Sequence, residues 1–562
     1  MQNDPAYALS ARILQSAAAS PRRAEKEVKL ALKTHPKSAH LHFAAGLIAL
    51  QQKKPKDARN SFIRAINTGN APAAAHLNAA LVEADIGQFP RALEMLDRAS
   101  TRFPDDRQFE TTAIKLCLQT QELDLAQARI KAASEAGLTE ELHFLAGRVY
   151  EAQGNLPQAI VAYEQAGETP LAKAALSQCY AFTNQEAAAL KAAKAGLALA
   201  PQDPAQRFNL AWRQLESGAF DEAAQGFHAL LTAQEQRFEA FSALASLPTV
   251  KGADAAGLEN TAKTLEKAAR SPTEKGHVAM AQAHLAEKRG DTAAFLAALG
   301  AANAFYAKDR LYDHAADAKA QAQVFEAFDT LPEAETAPHT PTPIFITGMI
   351  RSGTTLLDRL LSASPEVSSL GEAATVSRHF RTTLPHGTTE LATLRSAYSA
   401  LQSLVPDAAF TLDKMPVNAL YLGWIMRAFP NAKLIVMERD RRDVAASAFT
   451  SYFNAGPMNF TFREDWLMQK LDLFEAQIAG WESRGVPFLR VSYENLVREP
   501  QSELDRITAY CGLPPLDVAD LSQAKGAIRT ASYAQARRPV NTSSIGRWQQ
   551  FERLLPNLCK NG

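Results

Sequence analysis

Small and apolar positions recur at a fixed interval through the first 250 residues. Ala24, Ala58, Ala92 and Ala126 are spaced by 34 residues, and each opens a small-x3-large-x2-Ala pattern: Ala24/Val28/Ala31, Ala58/Phe62/Ala65, Ala92/Leu96/Ala99 and Ala126/Ile130/Ala133. Ala159/Tyr163/Ala166 follows 33 residues later, Ala189/Ala193/Gly196 is a looser copy, and Ala223/Phe227/Leu230 restores the period. Steps of four and three place these side chains on one face of a helix. The pattern predicts a small residue where a neighbouring helix approaches closely and a larger one filling the gap beside it. The partner helix is visible too, since Gly46 and Gly147 stand twelve residues before the following alanine and are preceded by Phe43 and Phe144. Pro36, Pro104 and Pro201 end three of the second helices, because proline cannot continue a helix.

Thirty-four residues is the tetratricopeptide period. About seven such helical hairpins over residues 1–250 predict a right-handed α-solenoid with a concave groove, the surface such arrays use for a protein or peptide partner. The alternative is that these helices only scaffold or dimerise the protein. Between 251 and 330 the helical pattern continues while the period fails, which suits a degenerate cap. Residues 331–342, Leu331-Pro332-Glu333-Ala334-Glu335-Thr336-Ala337-Pro338-His339-Thr340-Pro341-Thr342, are proline-rich, polar and aperiodic, and are expected to be a linker.

From 343 to 562 the pattern becomes alternating strands and helices, as in one α/β domain with a parallel sheet. Lys433–Met437 reads as a strand buried on both faces and Phe488–Val491 as another. The stretch that stands out is Ile344-Phe345-Ile346, then Gly348-Met349-Ile350-Arg351-Ser352-Gly353-Thr354-Thr355, then a helix from Leu356. Strand, glycine-bearing loop and helix N-terminus make an anion cradle, with Arg351, Ser352, Gly353, Thr354 and Thr355 around it. Gly348 and Gly353 keep the spacing of a nucleotide triphosphatase loop, but Thr354 replaces the lysine that reaches the outer phosphates. A phosphate-like group is expected there, held in another manner.

Composition narrows this further. Sixty basic residues balance sixty acidic ones, so no whole-protein field recruits nucleic acid or an anionic membrane. Cys117, Cys179, Cys511 and Cys559 are scattered, which argues against a disulfide framework or structural zinc. No ligand-spaced His/Asp/Glu cluster is seen, and no metal is expected. Residues 1–22 lack a basic-then-apolar signal and no apolar run reaches a membrane span, so a soluble, cytoplasmic protein is expected.

Arg351-Ser352-Gly353-Thr354-Thr355-Leu356, followed at Gly371-Glu372 by an acidic turn, resembles the 5′-phosphosulfate loop of sulfotransferases. The similarity is greatest to the tyrosylprotein enzymes and to bacterial sulfotransferases fused to tetratricopeptide repeats. It implies a P-loop-like sulfotransferase domain and 3′-phosphoadenosine 5′-phosphosulfate (PAPS) as donor. Arg439 and Ser447, beyond the Leu434–Met437 strand, resemble the pair that grips the 3′-phosphate, although Ser451 stands where the tyrosylprotein enzymes carry a further arginine. Lys414 in Asp413-Lys414-Met415-Pro416 resembles the lysine that touches the transferring group, and Tyr493-Glu494 resembles a segment near the nucleotide. Ser532, the Arg537-Arg538-Pro539-Val540-Asn541 stretch and Arg547 in Gly546-Arg547-Trp548 resemble elements that close over the cofactor. Arg351, Lys414 and Arg547 are then the expected charge stabilisers. Glu372, reached through a Ser368-Ser369-Leu370-Gly371 turn and followed by Ala373 where the family has a second glutamate, is the expected base taking the acceptor's hydroxyl proton. His379 and His386 are rival bases.

The acceptor class stays open, between a protein tyrosine recruited by the repeats and a sugar, lipid or small-molecule hydroxyl. Two other readings are a non-catalytic tetratricopeptide adaptor with a nucleotide-binding α/β domain, and a P-loop kinase or NTPase, which Thr354 disfavours.

Overall fold

The computed structural model describes residues 5–135, 137–233, 237–248, 253–332, 336–405, 407–453, 456–519 and 540–560. The chain divides into two compact units, Met1–Ala152 and Gln153–Gly562. No helix among the described residues is long and apolar enough to cross a membrane.

The first unit is built of antiparallel helical hairpins, Pro5–Ala19 with Pro21–Thr34, Ala39–Gln51 with Pro55–Asn67, Ala73–Asp85 with Phe89–Arg102, and Gln108–Thr120 with Leu123–Glu135. The periodic residues are the ones that pack. Ala24, Ala58, Ala92 and Ala126 are fully buried, as are Phe62 and, within a few per cent, Val28, Leu96 and Ile130. Gly46 shows why a small residue is required on the partner helix, since a Cβ there would stand 2.3 Å from the Phe62 ring. Close packing of this kind leaves no room for even one carbon.

The second unit continues the hairpins with Leu156–Gln165, Pro170–Phe182, Glu186–Leu199, Pro204–Ser217 and Phe220–Ala233, and here too Ala159, Tyr163, Ala193, Ala223 and Phe227 are buried. The helices Arg237–Ser246, Ala253–Ala268, Pro272–Arg289, Thr292–Asp309 and His314–Thr330 follow. Pro272–Arg289 is closed at its start by a Ser271/Glu274 capping box and at its end by Gly290 in the left-handed conformation, and Asp291 caps the next helix. Those signals turn the chain between two long helices within two residues.

A five-stranded parallel sheet then forms from β1 (Thr342–Gly348), β2 (Val367–Gly371), β3 (Phe410–Lys414), β4 (Lys433–Glu438) and β5 (Leu489–Ser492), in the order β2-β3-β1-β4-β5. Its strands alternate their side chains between two cores. Ile344, Ile346, Leu412, Ile435, Met437 and Val491 face the helices Thr354–Leu361 and Pro500–Cys511. Phe345, Leu434 and Val436 face Phe380, Tyr398, Trp424 and Trp481 on the other side. Phe325 and Phe328 of His314–Thr330 lie edge-on to Trp481 at 4.7 and 5.1 Å, so this helix covers that second layer.

One local expectation is corrected. Ser368–Gly371 is not a turn but most of β2, which pairs parallel with β3 from Val367↔Phe410 onward. Pairing with β3 recruits a polar, half-buried serine pair to the edge of the sheet, and the bend comes only at Gly371, φ +71°. Residues 333–335 of the expected linker lie outside the described residues.

Candidate functional site

β1 lies between β3 and β4, and the chain leaves it toward β2 and β3 on one side and toward β4 and β5 on the other. The carboxyl ends of β1 and β4 therefore flank a topological switch point, where open α/β sheets bind ligands. The register pairs Gly348 with Met437, so the loop after β1 and the residues after β4 meet directly.

The loop's shape depends on positive φ angles. Gly353, at φ +103°, opens the helix Thr354–Leu361, and a Cβ there would lie 2.5 Å from the Tyr493 ring. Arg351 adopts φ +67°, unusual for a residue with a side chain, and such strain clusters at functional loops. The helix has no side-chain cap, leaving its N-terminal dipole directed at the loop. Thr354 is buried and Thr355 half-buried at its first turn. Ser352 is buried with a hydroxyl that has no partner, and a Cβ on Gly348 would stand 2.7 Å from it across the loop.

Arginines converge on this loop. Arg351 Nε donates to Ser447 Oγ at 2.8 Å, from the helix Arg441–Phe449 that follows β4. Arg439 Nη1 donates to the Arg351 carbonyl at 3.0 Å and Nη2 to the Ser544 carbonyl at 2.6 Å, while its guanidinium lies 4.4 Å over the Tyr493 ring. Arg439, Ser447, Thr450, Ser544, Arg547 and Phe551 line one small pocket. Burial, and then the charges of Arg439 and Arg547, pull the Arg351 guanidinium down to about 10. Three cations brought this close disfavour one another and favour an anion among them.

The C-terminal segment is held to this pocket by a residue the sequence reading passed over. Asp443, 2% exposed, accepts the Gly546 N–H at 2.7 Å and the Trp548 N–H at 3.0 Å, the two amides flanking Arg547. Arg442 lies 4.3 Å over the Trp548 ring and is itself paired to Asp440 at 2.6 Å. Glu494, in the short helix Tyr493–Arg498 after β5, accepts the Asp440 N–H at 3.0 Å and so joins that helix to the start of Arg441–Phe449. Asp443 follows Arg439 by four residues, and an acidic residue in a charged run gives no signal of burial.

A second cluster sits at the ends of β2 and β3. Glu372 and Lys414 form an ion pair, with the lysine side chain 4% exposed and the glutamate 35%. Burial raises the Asp413 carboxyl well above the usual range, with Lys414 opposing the shift, and burial likewise raises Asp358 on the loop helix. Both carboxyls are thereby moved toward the neutral acid, and Glu372 is the carboxylate in contact with the lysine. Ile346 of β1 pairs with Lys414, which places the ammonium's strand directly beside the phosphate loop. His379 is engaged elsewhere, its Nε2 lying 2.7 Å from the Thr389 carbonyl. The His386 side chain, Ser532 and Arg537–Pro539 lie outside the described residues.

The hairpin turns of the second unit reach this edge. The Thr375 hydroxyl donates to the Gly154 carbonyl at 3.3 Å, Asn184 Nδ2 lies 3.5 Å from the Ser369 carbonyl, and a Cβ on Gly371 would lie 3.3 Å from the Phe182 carbonyl.

A phosphate loop at the switch point, three arginines around it and a Glu–Lys pair on its flank define an α/β domain suited to transferring an anionic group. Residues 343–517 match the family model described as the Sulfotransferase family, so the C-terminal part of the chain carries a sulfotransferase domain. An uncharacterized protein of Aquifex aeolicus is 30% identical over 236 residues, covering 38% of this chain and 31% of that protein. A putative protein-tyrosine sulfotransferase of Caenorhabditis briggsae is 26% identical over 231 residues, 36% of this chain and 80% of that one. Protein-tyrosine sulfotransferase 2 of Gallus gallus is 25% identical over 257 residues, 39% of this chain and 68% of that one. The chain thus spans less than a third of the length of the Aquifex relative.

Proposed function

We propose that this protein transfers a sulfuryl group from PAPS to an acceptor hydroxyl, with the helical repeats recruiting or orienting the acceptor. The observation that carries this reading is the convergence of Arg351, Arg439 and Arg547 with Ser447 at a phosphate loop whose lysine position is Thr354. The residues present fit a nucleotide bearing two phosphate-like ends. Ser352 offers a buried hydroxyl in need of a partner and the uncapped helix its N-terminal dipole at one end, while Arg439, Ser447 and Arg547 line a separate pocket for the other.

In this mechanism PAPS supplies the sulfuryl group and leaves as the bisphosphate. Glu372 accepts the acceptor's hydroxyl proton, and Lys414, released from it, turns its charge toward the reacting group. Arg351 balances negative charge on the departing phosphate, its own charge strengthened by the anion it holds. Asp413 and Asp358, held toward the neutral acid, do not compete for the lysine. The turns at Gly154 and Phe182–Asn184 wall the edge where Glu372 stands, which supports an acceptor that meets the repeats and the base together. A protein tyrosine suits that arrangement. We assign the repeats to 1–250, the cap to 251–330 and the linker to 331–341, and begin the transferase domain one residue earlier than expected, at Thr342 of β1, so that it runs over 342–562, in a protein of the cytoplasm.

Calorimetric binding of adenosine 3′,5′-bisphosphate, beside ATP with magnesium, tests the donor. Bisphosphate is expected to bind more tightly than ATP, and Arg439→Ala to weaken it about 10- to 100-fold, the loss of hydrogen bonds to a charged group. A folded protein that preferred ATP with magnesium would overturn the proposal in favour of phosphoryl transfer.

A further inference from the structure

Two residues lining the donor pocket, Ala446 and Phe551, are packed from behind by helices outside the matched residues 343–517. Pro272–Arg289 and Thr292–Asp309 share one core with the phosphate loop and its surroundings: Met280, Phe295, Leu299 and Tyr306 pack with Met349 and Ile350, with Val444–Phe449 and with Phe551 and Leu555. Asn303, 1% exposed, donates to the Phe449 carbonyl at 2.9 Å, tying this hairpin to the end of the helix that carries Ser447. From the last turn of Pro272–Arg289, Glu287 reaches Arg547, one of the residues that line the pocket. Its Oε1 lies 2.9 Å from Arg547 Nη2.

That contact has a defined electrostatic setting. Arg547 feels Arg351 and lines a pocket with Arg439, two like charges that would push its guanidinium outward. Asp443 fixes the backbone on both sides of Arg547 but leaves its side chain free to choose a partner. Glu287 supplies that partner from a helix with no counterpart in the motif residues. An entering phosphate offers a doubly charged, bidentate acceptor in place of a half-exposed carboxylate, and guanidinium prefers it.

We infer that Glu287 is a positioning residue of the donor site, contributed by the Pro272–Asp309 hairpin, which holds Arg547 at the rim of the pocket and yields it to the phosphate of the entering nucleotide. This rests on the donor proposed above. Glu287 then competes with the nucleotide for Arg547, so donor affinity is set partly by a helix of the cap that follows the repeats. The carboxylate occupies the Arg547 guanidinium in the empty protein, and its loss leaves that guanidinium to the ligand.

The test is a double-mutant cycle on the full chain, with adenosine 3′,5′-bisphosphate as probe and calorimetry as readout. Glu287→Gln, which keeps shape and removes charge, is expected to tighten binding about two- to fivefold, the size of a half-exposed ion pair. Arg547→Ala is expected to weaken binding, and Glu287→Gln added to it to change nothing further. A gain that persists without Arg547 would reduce Glu287 to a distant charge and overturn the assignment. Unchanged or weaker binding in Glu287→Gln, with the wild type still binding bisphosphate, would overturn it while leaving the donor reading intact. A folded wild type that bound no bisphosphate would overturn both.

Discussion

The Asp443→Asn substitution asks the most of the geometry. Two backbone donors, at 2.7 and 3.0 Å, converge on the two oxygens of one buried carboxylate. Asparagine keeps one acceptor and turns an NH2 group toward the other N–H, so one bond to a charged acceptor is lost and one buried donor is left facing another. Hydrogen bonds to charged groups contribute about 1.5–3 kcal/mol each, and an unsatisfied buried donor costs about 1–3 kcal/mol. Because the same lost contact is counted from both sides, the net cost is about 2–3 kcal/mol, or about 30- to 150-fold. The segment that pays it is the one carrying Arg547.

Hydrogen exchange should therefore accelerate about 30- to 150-fold at the amides of Gly546 and Trp548, while amides in β1 and β4 keep their protection. Bisphosphate affinity should fall with it. Charge alone argues the other way, because Asp443 lies 4.0 Å from Arg439 and its removal leaves that arginine a better anion ligand. The sign of the affinity change thus decides between clamp and counter-ion. Tighter binding in Asp443→Asn, or unchanged exchange at 546 and 548, would refute the clamp.

Glu372→Gln should lower turnover of labelled donor on a tyrosyl peptide or phenol at least about 100-fold with bisphosphate affinity within twofold, and a fully active variant would remove Glu372 as the base. Gly353→Ala places a Cβ 2.5 Å from Tyr493 at φ +103°, so it should cost about 1–3 kcal/mol of local strain and weaken bisphosphate binding, with Tyr493→Ala relieving the clash but not the backbone strain. His277, 2% exposed, faces Tyr306, Tyr452, Arg310, Glu274 and, at 3.8 Å, Glu239; burial and Arg310 outweigh the carboxylates and lower it to about 4. Its folded pKa lies below its unfolded one, so the stability it contributes is present above about pH 6.5 and is lost as pH falls toward 4, roughly 3 kcal/mol in all. Melting curves from pH 7 to 4.5 should fall less steeply in His277→Gln, and identical slopes would contradict the assignment. A fragment beginning at Pro343 would uncover Met349, Ile350, Phe449 and Phe551, and should bind a hydrophobic dye and aggregate where one beginning at Pro272 does not.

What the chain discloses of itself follows the distance between partners along it. The hairpins are legible because Ala58, Phe62 and Ala65 mark a helical face three and four residues apart, and Gly46 is only sixteen residues from the Phe62 it accommodates. The phosphate loop is legible because Gly348, Arg351 and Gly353 are contiguous and their roles are set by backbone conformation. β2 is not legible because Ser368 and Ser369 lack the apolar signature of a strand, and their partners Thr411 and Leu412 in β3 are 43 residues away. Asp443 and Glu287 were out of reach for the same reason, their partners lying 103 and 260 residues along the chain. Met349 and Ile350 did carry a hint. Two large apolar side chains inside an anion loop cannot face the anion, so something outside the loop must cover them, and the Pro272–Asp309 hairpin does. The Pro272–Asp309 hairpin and the transferase domain are therefore joined through the loop itself, and a change in the hairpin's packing reaches Arg351 and Arg547 through side chains already in contact.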